Sequence, residues 1–272
     1  MKLSLLLIAG LLSSGSFAGN YLEFKLKAKT GPGMQDGVKG TMKAWYQNGN
    51  TRTQLQMEME QGGNSMATAM MNKMVGLRLS SQPNTSFLLD ENNKIYFEAP
   101  KKNDGQEEEI TSWDISVIGQ EKLNGYNCTR IKATEKTGSA PSEFEWWVSK
   151  DVPGYSELKD FRTKQLNTGA IYQALKGKGI DGFPVKIKMT GSNPGRPGIP
   201  MEIELIKAEI MDIPESRFSL EGYTRKEGLP FMPGGMDPEK LKNMSPAERM
   251  KFLGEMQRKM QGMQPEKEED KE

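Results

Sequence analysis

Along most of the chain apolar and polar residues alternate with the two-residue period of strands that bury one side in a core. Leu22, Phe24, Leu26 and Ala28 alternate with Glu23, Lys25 and Lys27. After the Gly31-Pro32-Gly33 turn, residues 38–46 predict a second strand, 47–50 a reversal and 51–59 a third, with Thr53, Leu55, Met57 and Met59 on one side. These make a meander. Residues 85–89 and 94–98, joined by Asp90-Glu91-Asn92-Asn93, predict a further hairpin, and the charged 101–109 stretch an exposed loop.

The next hairpin is centred on Asn124-Gly125, with strands over 113–123 and 126–134. A type I′ turn needs positive φ at both central residues, and Asn-Gly accepts it at least cost. That register sets Leu123 opposite Tyr126 and Glu121 diagonal to Arg130. Phe144, Trp146 and Val148 then share one strand face, and Glu143, Glu145 and Trp147 the other. A tryptophan on each face predicts a sheet partly covered on both sides. The alternation lapses over 155–176, which predicts some helix ending at Gly177 or Gly179. It resumes with Phe183, Val185, Ile187 and Met189, and after a Gly/Pro-rich turn the last long strand covers 201–211. There the apolar phase slips from Ile203 and Leu205 to Ile206, Ala208 and Ile210, which predicts a bulge near Leu205 that curves the sheet.

Two segments follow a helical period instead. Met66, Met70 and Met74 recur at i, i+4 and i+8 with Ala67 and Met71 beside them. Such a stripe either plugs the core of the sheet or forms a lid over an apolar cavity, and unbranched thioethers suit irregular apolar ligands. In the second case Met66, Met70, Met71 and Met74 line the cavity together with Phe24, Leu26 and Trp146. Beyond a Gly/Pro/Met linker over 228–238, Ser245-Pro246-Ala247-Glu248 fits a capping box with proline at the first helical position. Met250, Leu253, Met256, Met260 and Met263 follow at spacings of three and four, an amphipathic helix that is either a solvated arm or a surface for an envelope partner or a membrane. The charged 266–272 end is expected to be disordered.

The N-terminus carries Lys2, an apolar run over 3–12 and then Ser16-Phe17-Ala18. The run is far short of the ~20 residues that span a bilayer, and the small side chains suit signal peptidase. The organisation expected is therefore a signal peptide over 1–18, a curved sheet domain over 19–223, and a linker, Met-rich helix and tail over 224–272. Cleavage after Ala18 places the protein in the periplasm, or outside the cell as the alternative, without an integral membrane segment. Cys128 is the single cysteine, so neither a lipid-modified cysteine at Gly19 nor an internal disulfide is available. It reads as a buried strand residue.

Charge narrows the partners further. The 37 Lys and Arg and 36 Asp and Glu are interspersed, which argues against a basic face for nucleic acid. The chain has no histidine, which removes Ser-His-Asp and Cys-His catalysis and the commonest zinc and copper(II) ligand sets. Walker, EF-hand and Gly-x-Ser-x-Gly patterns are also missing. The expectation is a protein that is not an enzyme and takes no cofactor.

The run from Ile118 through Asn124-Gly125 to Cys128, and Phe144-Glu145-Trp146-Trp147-Val148-Ser149-Lys150-Asp151, resemble a bacterial family known only as a domain of unknown function, DUF4412. Its members are similar in turn to periplasmic outer-membrane lipoprotein carriers. The ending from Ile213-Pro214 through Phe218 to Gly222-Tyr223 has the same look, so the resemblance spans most of 21–223. It implies a mainly β (α+β) fold, an unclosed, curved antiparallel barrel with helices against its concave side, and it brings no catalytic residues. Three functions follow as expectations. The first is a carrier or binder of a lipid or lipoprotein acyl chain. The second is an envelope interaction module with a filled core and the C-terminal helix as contact surface. The third is copper(I) binding through thioethers, with Met57 and Met59 on one strand face and Met256, Met260 and Met263 on one helix face.

Overall fold

A computed structural model of the chain describes residues 18–29, 37–59, 68, 72–100, 113–136, 143–159, 161, 169–189, 200–228, 245 and 248. Its strands are β1 (Ala18–Ala28), β2 (Val38–Gln47), β3 (Asn50–Met59), β4 (Met74–Arg78), β5 (Thr85–Asp90), β6 (Ile95–Pro100), β7 (Trp113–Leu123), β8 (Tyr126–Glu135), β9 (Glu143–Ser149), β10 (Phe183–Met189), β11 (Met201–Asp212) and β12 (Thr224–Lys226). They form one sheet in the order β12-β6-β5-β4-β3-β2-β1-β11-β10-β9-β8-β7. The two ends of that order do not meet, so the sheet stays open. Apart from β12, each half is a meander of strands consecutive in sequence, and the halves join where β1 pairs antiparallel with β11. Only β12 runs parallel to its neighbour, β6.

Local chemistry accounts for the reversals. Asn48 and Gly49 take φ of 50° and 79°, and Asn124 and Gly125 take 50° and 89°, so both Asn-Gly pairs are left-handed hairpin turns. Leu123 pairs with Tyr126 as the register requires. Arg130 lies diagonal to Glu121, with 3.8 Å between charged atoms. No neighbour lies near the position of a Cβ on Gly125, so the cost of a side chain there is backbone strain alone. Gly125→Val is expected to lose about 1–3 kcal/mol in a urea titration, and an unchanged midpoint would contradict the turn. The phase slip in β11 is a bulge at Ile206, because Glu23 pairs with Lys207 and Phe24 with Leu205.

Residues that face each other across the strands define two sheet faces. On the first, the helix α1 (Gly169–Gly177) sets Ile171, Tyr172 and Leu175 against Ile131, Trp146 and Ile187. The helix ends in a Schellman motif: Gly179, at φ 72°, donates to the Lys176 carbonyl and Ile180 to that of Leu175, both at 3.0 Å. Beside it, Leu158 and Phe161 cover the middle of the same face. Phe161 stacks 6.4 Å from Phe24 and 6.3 Å from Phe183.

On the opposite face Trp147 is buried beneath cations, with Arg130, Lys188 and Lys186 5.0, 5.4 and 5.9 Å from its ring centre. Its indole N–H donates to the Glu121 carboxylate. Lys186 in turn bridges Glu202 and Glu204 at 2.8 Å each. Both tryptophans of the pair are thus buried, one on each face. Further along this face a strap over 213–223 lays Ile213 and Phe218 on Val75, Leu77, Phe87 and Leu89. The buried Arg52 anchors it, donating to the Arg217 carbonyl at 3.0 Å and to the Glu91 carboxylate, while the Arg217 guanidinium sits 4.6 Å above the Trp45 ring.

Cys128 is a free, buried strand thiol. Burial is the main cause that pushes its pKa up to about 11, so little of it is the reactive thiolate at neutral pH. Residues 1–17, Met66, Met70, Met71 and most of the chain after 228 lie outside the described residues. Within that last region Ser245 and Glu248 make a reciprocal capping box: the Ser245 amide and hydroxyl donate to the Glu248 carboxylate at 2.8 and 2.7 Å, and the Glu248 amide donates to the Ser245 hydroxyl at 3.3 Å. Those bonds hold the Glu248 carboxyl below its ordinary pKa.

Candidate functional site

The face that carries α1 is largely apolar, but it is packed unevenly. At the α1 end and in the middle the side chains are core. Phe24 and Trp146 are each 1% exposed, Phe24 in an aromatic stack and Trp146 edge-on to Tyr172 at 5.3 Å. Neither lines open space, which corrects their expected place around a cavity. Alternation identifies the inward side of a strand but not what fills the room above it.

Toward β6 the same face changes character. Cross-strand pairing aligns Met42 with Leu55, and Gly76 with Leu88 and Phe97. Met42, Leu55, Met74, Leu88, Ile95 and Phe97 are all only partly buried. We refer to this surface as the trough. Leu26 adjoins it, paired with Gly40 of β2 and likewise half-buried. Leu26 and Met74 of the expected ligand-lining set therefore fall at the trough.

Met74 is not helical, however. It opens β4, opposite Asp90 of β5, which corrects its place in a helical stripe. Asn72 and Lys73, the described residues just before it, are helical. The Asn72 side chain receives the Met57 amide N–H at 2.6 Å and donates to the Met57 carbonyl at 2.9 Å. A side-chain amide thus stands in for a backbone at the end of the β3–β4 ladder. Met57 and Met59 share a strand face by their two-residue spacing, paired with Gly40 and Val38. The methionines 256, 260 and 263 lie outside the described residues.

One end of the trough is polar. Thr51 pairs with Arg78 and Arg78 with Ser86, and the Arg78 Nε donates to the Ser86 hydroxyl at 3.1 Å. Between this rung and the apolar ones is a notch of about 170 Å³, lined by Thr51, Thr53, Gly76, Arg78, Ser86 and Leu88 with their neighbours. Gly76 is required here, because a Cβ would stand 2.5 Å from the Thr53 hydroxyl that lies over it. Periodicity could not have found this site, which depends on β4 lying between β3 and β5.

Two other hollows are built differently. A cleft of about 330 Å³ runs between the 155–159 turn and α1, walled by Tyr155, Tyr172, Lys176 and Ile180. A polar hollow of about 260 Å³ surrounds Arg52, Glu91 and Arg217 under the strap. Among the described residues no cluster of His, Cys, Asp and Glu is arranged to hold a metal ion, and no helix is long and apolar enough to cross a membrane.

The family described as Domain of unknown function (DUF4412) matches residues 32–222. No curated protein matches the sequence. Among solved structures, the MucA/MucB complex of Pseudomonas aeruginosa aligns with a TM-score of 0.35 and 11% identity over 74% of this chain and 55% of that one. A putative outer membrane lipoprotein-sorting protein domain from Vibrio parahaemolyticus aligns with a TM-score of 0.31 and 10% identity, over 74% of this chain and 89% of the other. A DUF1329 family protein from Desulfovibrio piger gives 0.29 and 10% over the same shares, 74% and 89%. The chain spans little more than half the length of the MucB structures, 55% and 54%.

Proposed function

The chain belongs to the DUF4412 family, a domain of unknown function, and from its geometry we propose a non-enzymatic binding protein of the bacterial envelope that holds a lipid or acyl chain in the trough. The observation that carries this reading is the contrast along one face: fully packed apolar side chains under α1, and half-buried ones in register from β2 to β6. The signal-like N-terminus supports an exported protein, and the lack of histidine leaves the commonest general base out of reach. An acyl chain that removes on the order of 300 Å² of apolar surface from water gains about 7–8 kcal/mol before ordering costs, which places the affinity at micromolar or weaker.

The test is titration of the full mature chain with N-phenyl-1-naphthylamine, a neutral dye that fluoresces in apolar surroundings. Saturable binding is expected. Leu88→Asp should weaken it at least tenfold, because a carboxylate on the trough floor keeps water in the site. Its thermal midpoint should fall by only a few degrees, since a half-buried position lets the charge reach solvent. Failure of the folded wild type to bind the dye would favour the interaction module, with the C-terminal amphipathic helix as its contact surface.

A further inference from the structure

We infer that the folded chain carries a site of spontaneous deamidation at Asn48-Gly49, and that the matching pair Asn124-Gly125 is held back from the same reaction by β11. The modification stands apart from the apolar-ligand reading, and only its effect on binding depends on that reading.

Asparagine followed by glycine is the pair in which a backbone amide most easily reaches a side-chain carboxamide, because glycine has no Cβ in the way. The glycine nitrogen forms a bond to the asparagine Cγ and gives up its proton. The Cγ–N bond of the carboxamide breaks, and that nitrogen leaves as ammonia. Water then opens the five-membered imide at one carbonyl to aspartate or at the other to isoaspartate, so the only co-reactant is water. The two turns begin the reaction from the same backbone: Asn48 and Asn124 both have φ 50°, and Gly49 and Gly125 have 79° and 89°. In a two-residue turn the flanking pair closes the ladder, here Gln47 with Asn50 and Leu123 with Tyr126, which leaves the glycine nitrogen outside it in both.

The side chains separate them. The Asn124 carboxamide donates to the Glu204 carboxylate at 3.0 Å and to the Leu205 carbonyl at 2.9 Å, so both of its hydrogens are engaged by β11. Those bonds must break before Cγ can swing onto Gly125. The product would also set a carboxylate against two acceptors. Although burial raises it, the Glu204 carboxyl is held below its ordinary pKa by its bonds to Lys186 and Asn124, so it meets that product as a charge. Asn48, in contrast, is exposed, and its side chain makes no hydrogen bond among the described residues. Its turn is tied down by the next residue, since the Ser80 amide and hydroxyl donate to the Asn50 side chain at 2.9 and 3.2 Å. Asn48 is therefore free to react without loosening its surroundings first. Isoaspartate at that position adds an atom to the main chain of a two-residue turn, and the register it disturbs is the one that sets Met42 beside Leu55 in the trough.

The test is peptide mapping of the full mature chain during incubation in mildly alkaline buffer, with fragmentation that distinguishes aspartate from isoaspartate. Position 48 should convert about tenfold faster than position 124, because two hydrogen bonds protect the latter. In urea the two rates should converge, and Glu204→Ala should speed conversion at 124 alone. Asn124→Asp should lower the thermal midpoint, whereas Asn48→Asp should leave it unchanged. Equal conversion at the two turns of the folded chain, or faster conversion at 124, would overturn the assignment. So would an Asn48 that stays intact in the folded chain while the urea control converts.

Discussion

Phe24→Ala is expected to lower the thermal midpoint by roughly 6–20 °C and to leave binding of an apolar dye to the folded protein unchanged. The side chain is fully buried in β1, flanked by Phe161 and Phe183, with Leu22, Tyr46 and Leu205 in the same cluster. Removing the ring leaves a cavity in rigid surroundings, because neighbours on paired strands cannot move into it. Losses of about 3–5 kcal/mol are usual for such a truncation, and each kcal/mol moves the midpoint of a domain this size by roughly 2–4 °C. Unfolding followed by fluorescence, with the dye titration repeated well below the midpoint, separates stability from binding. Lost dye binding at an unchanged midpoint would return Phe24 to the ligand site.

The second large effect belongs to Gly154. It stands at φ +68°, and a Cβ there would lie 2.1 Å from the Asn20 side-chain oxygen. Asn20 is itself buried at 2% exposure, with its amide donating to Glu157 at 3.4 Å, so it has little room to retreat. Gly154 also accepts the amides of Glu157 and Leu158 at 2.9 and 3.1 Å, the bonds that start the covering turn. Gly154→Val combines left-handed strain with overpacking, each costing about 1–3 kcal/mol, so a loss of about 3 kcal/mol or more is expected in urea. Truncating the neighbour as well, in Asn20→Ala with Gly154→Val, should recover the steric part and leave the strain. Strict additivity of the two substitutions would mean that the side chains do not collide.

What the sequence made legible is what local rules decide. Strand alternation, the Asn-Gly turns, the slip at Ile206 and the tryptophan on each face all report nearest neighbours along the chain or across one hairpin. β4 was hidden because Met74 completes a helical spacing with Met66 and Met70, while the strand it opens is only five residues long. Val75 and Leu77 do alternate with Gly76 and Arg78, but such a short run is ambiguous beside a helical stripe. Which inward-facing side chains are packed was not legible, for a related reason. Leu26 and Met74 fall at the trough, yet Phe24 and Trp146 share its face and are core. The difference between them is made by residues more than a hundred positions away, Phe161 over Phe24, and by α1 over Trp146.

The seam between β1 and β11 also bears on how the protein reaches its fold. Each meander is wired through contacts close in sequence and can zip hairpin by hairpin, whereas the seam joins Ala18 to Asp212 and must close almost the whole domain at once. Non-local pairing of this kind is formed late and slowly, because the chain entropy is lost before the contacts are gained. Until then β1 presents an unpaired edge carrying Leu22, Phe24 and Leu26 to other chains. The first strand of the sheet is thus the one that waits longest for its partner, and the interval before closure is where this sequence is most exposed to misassembly.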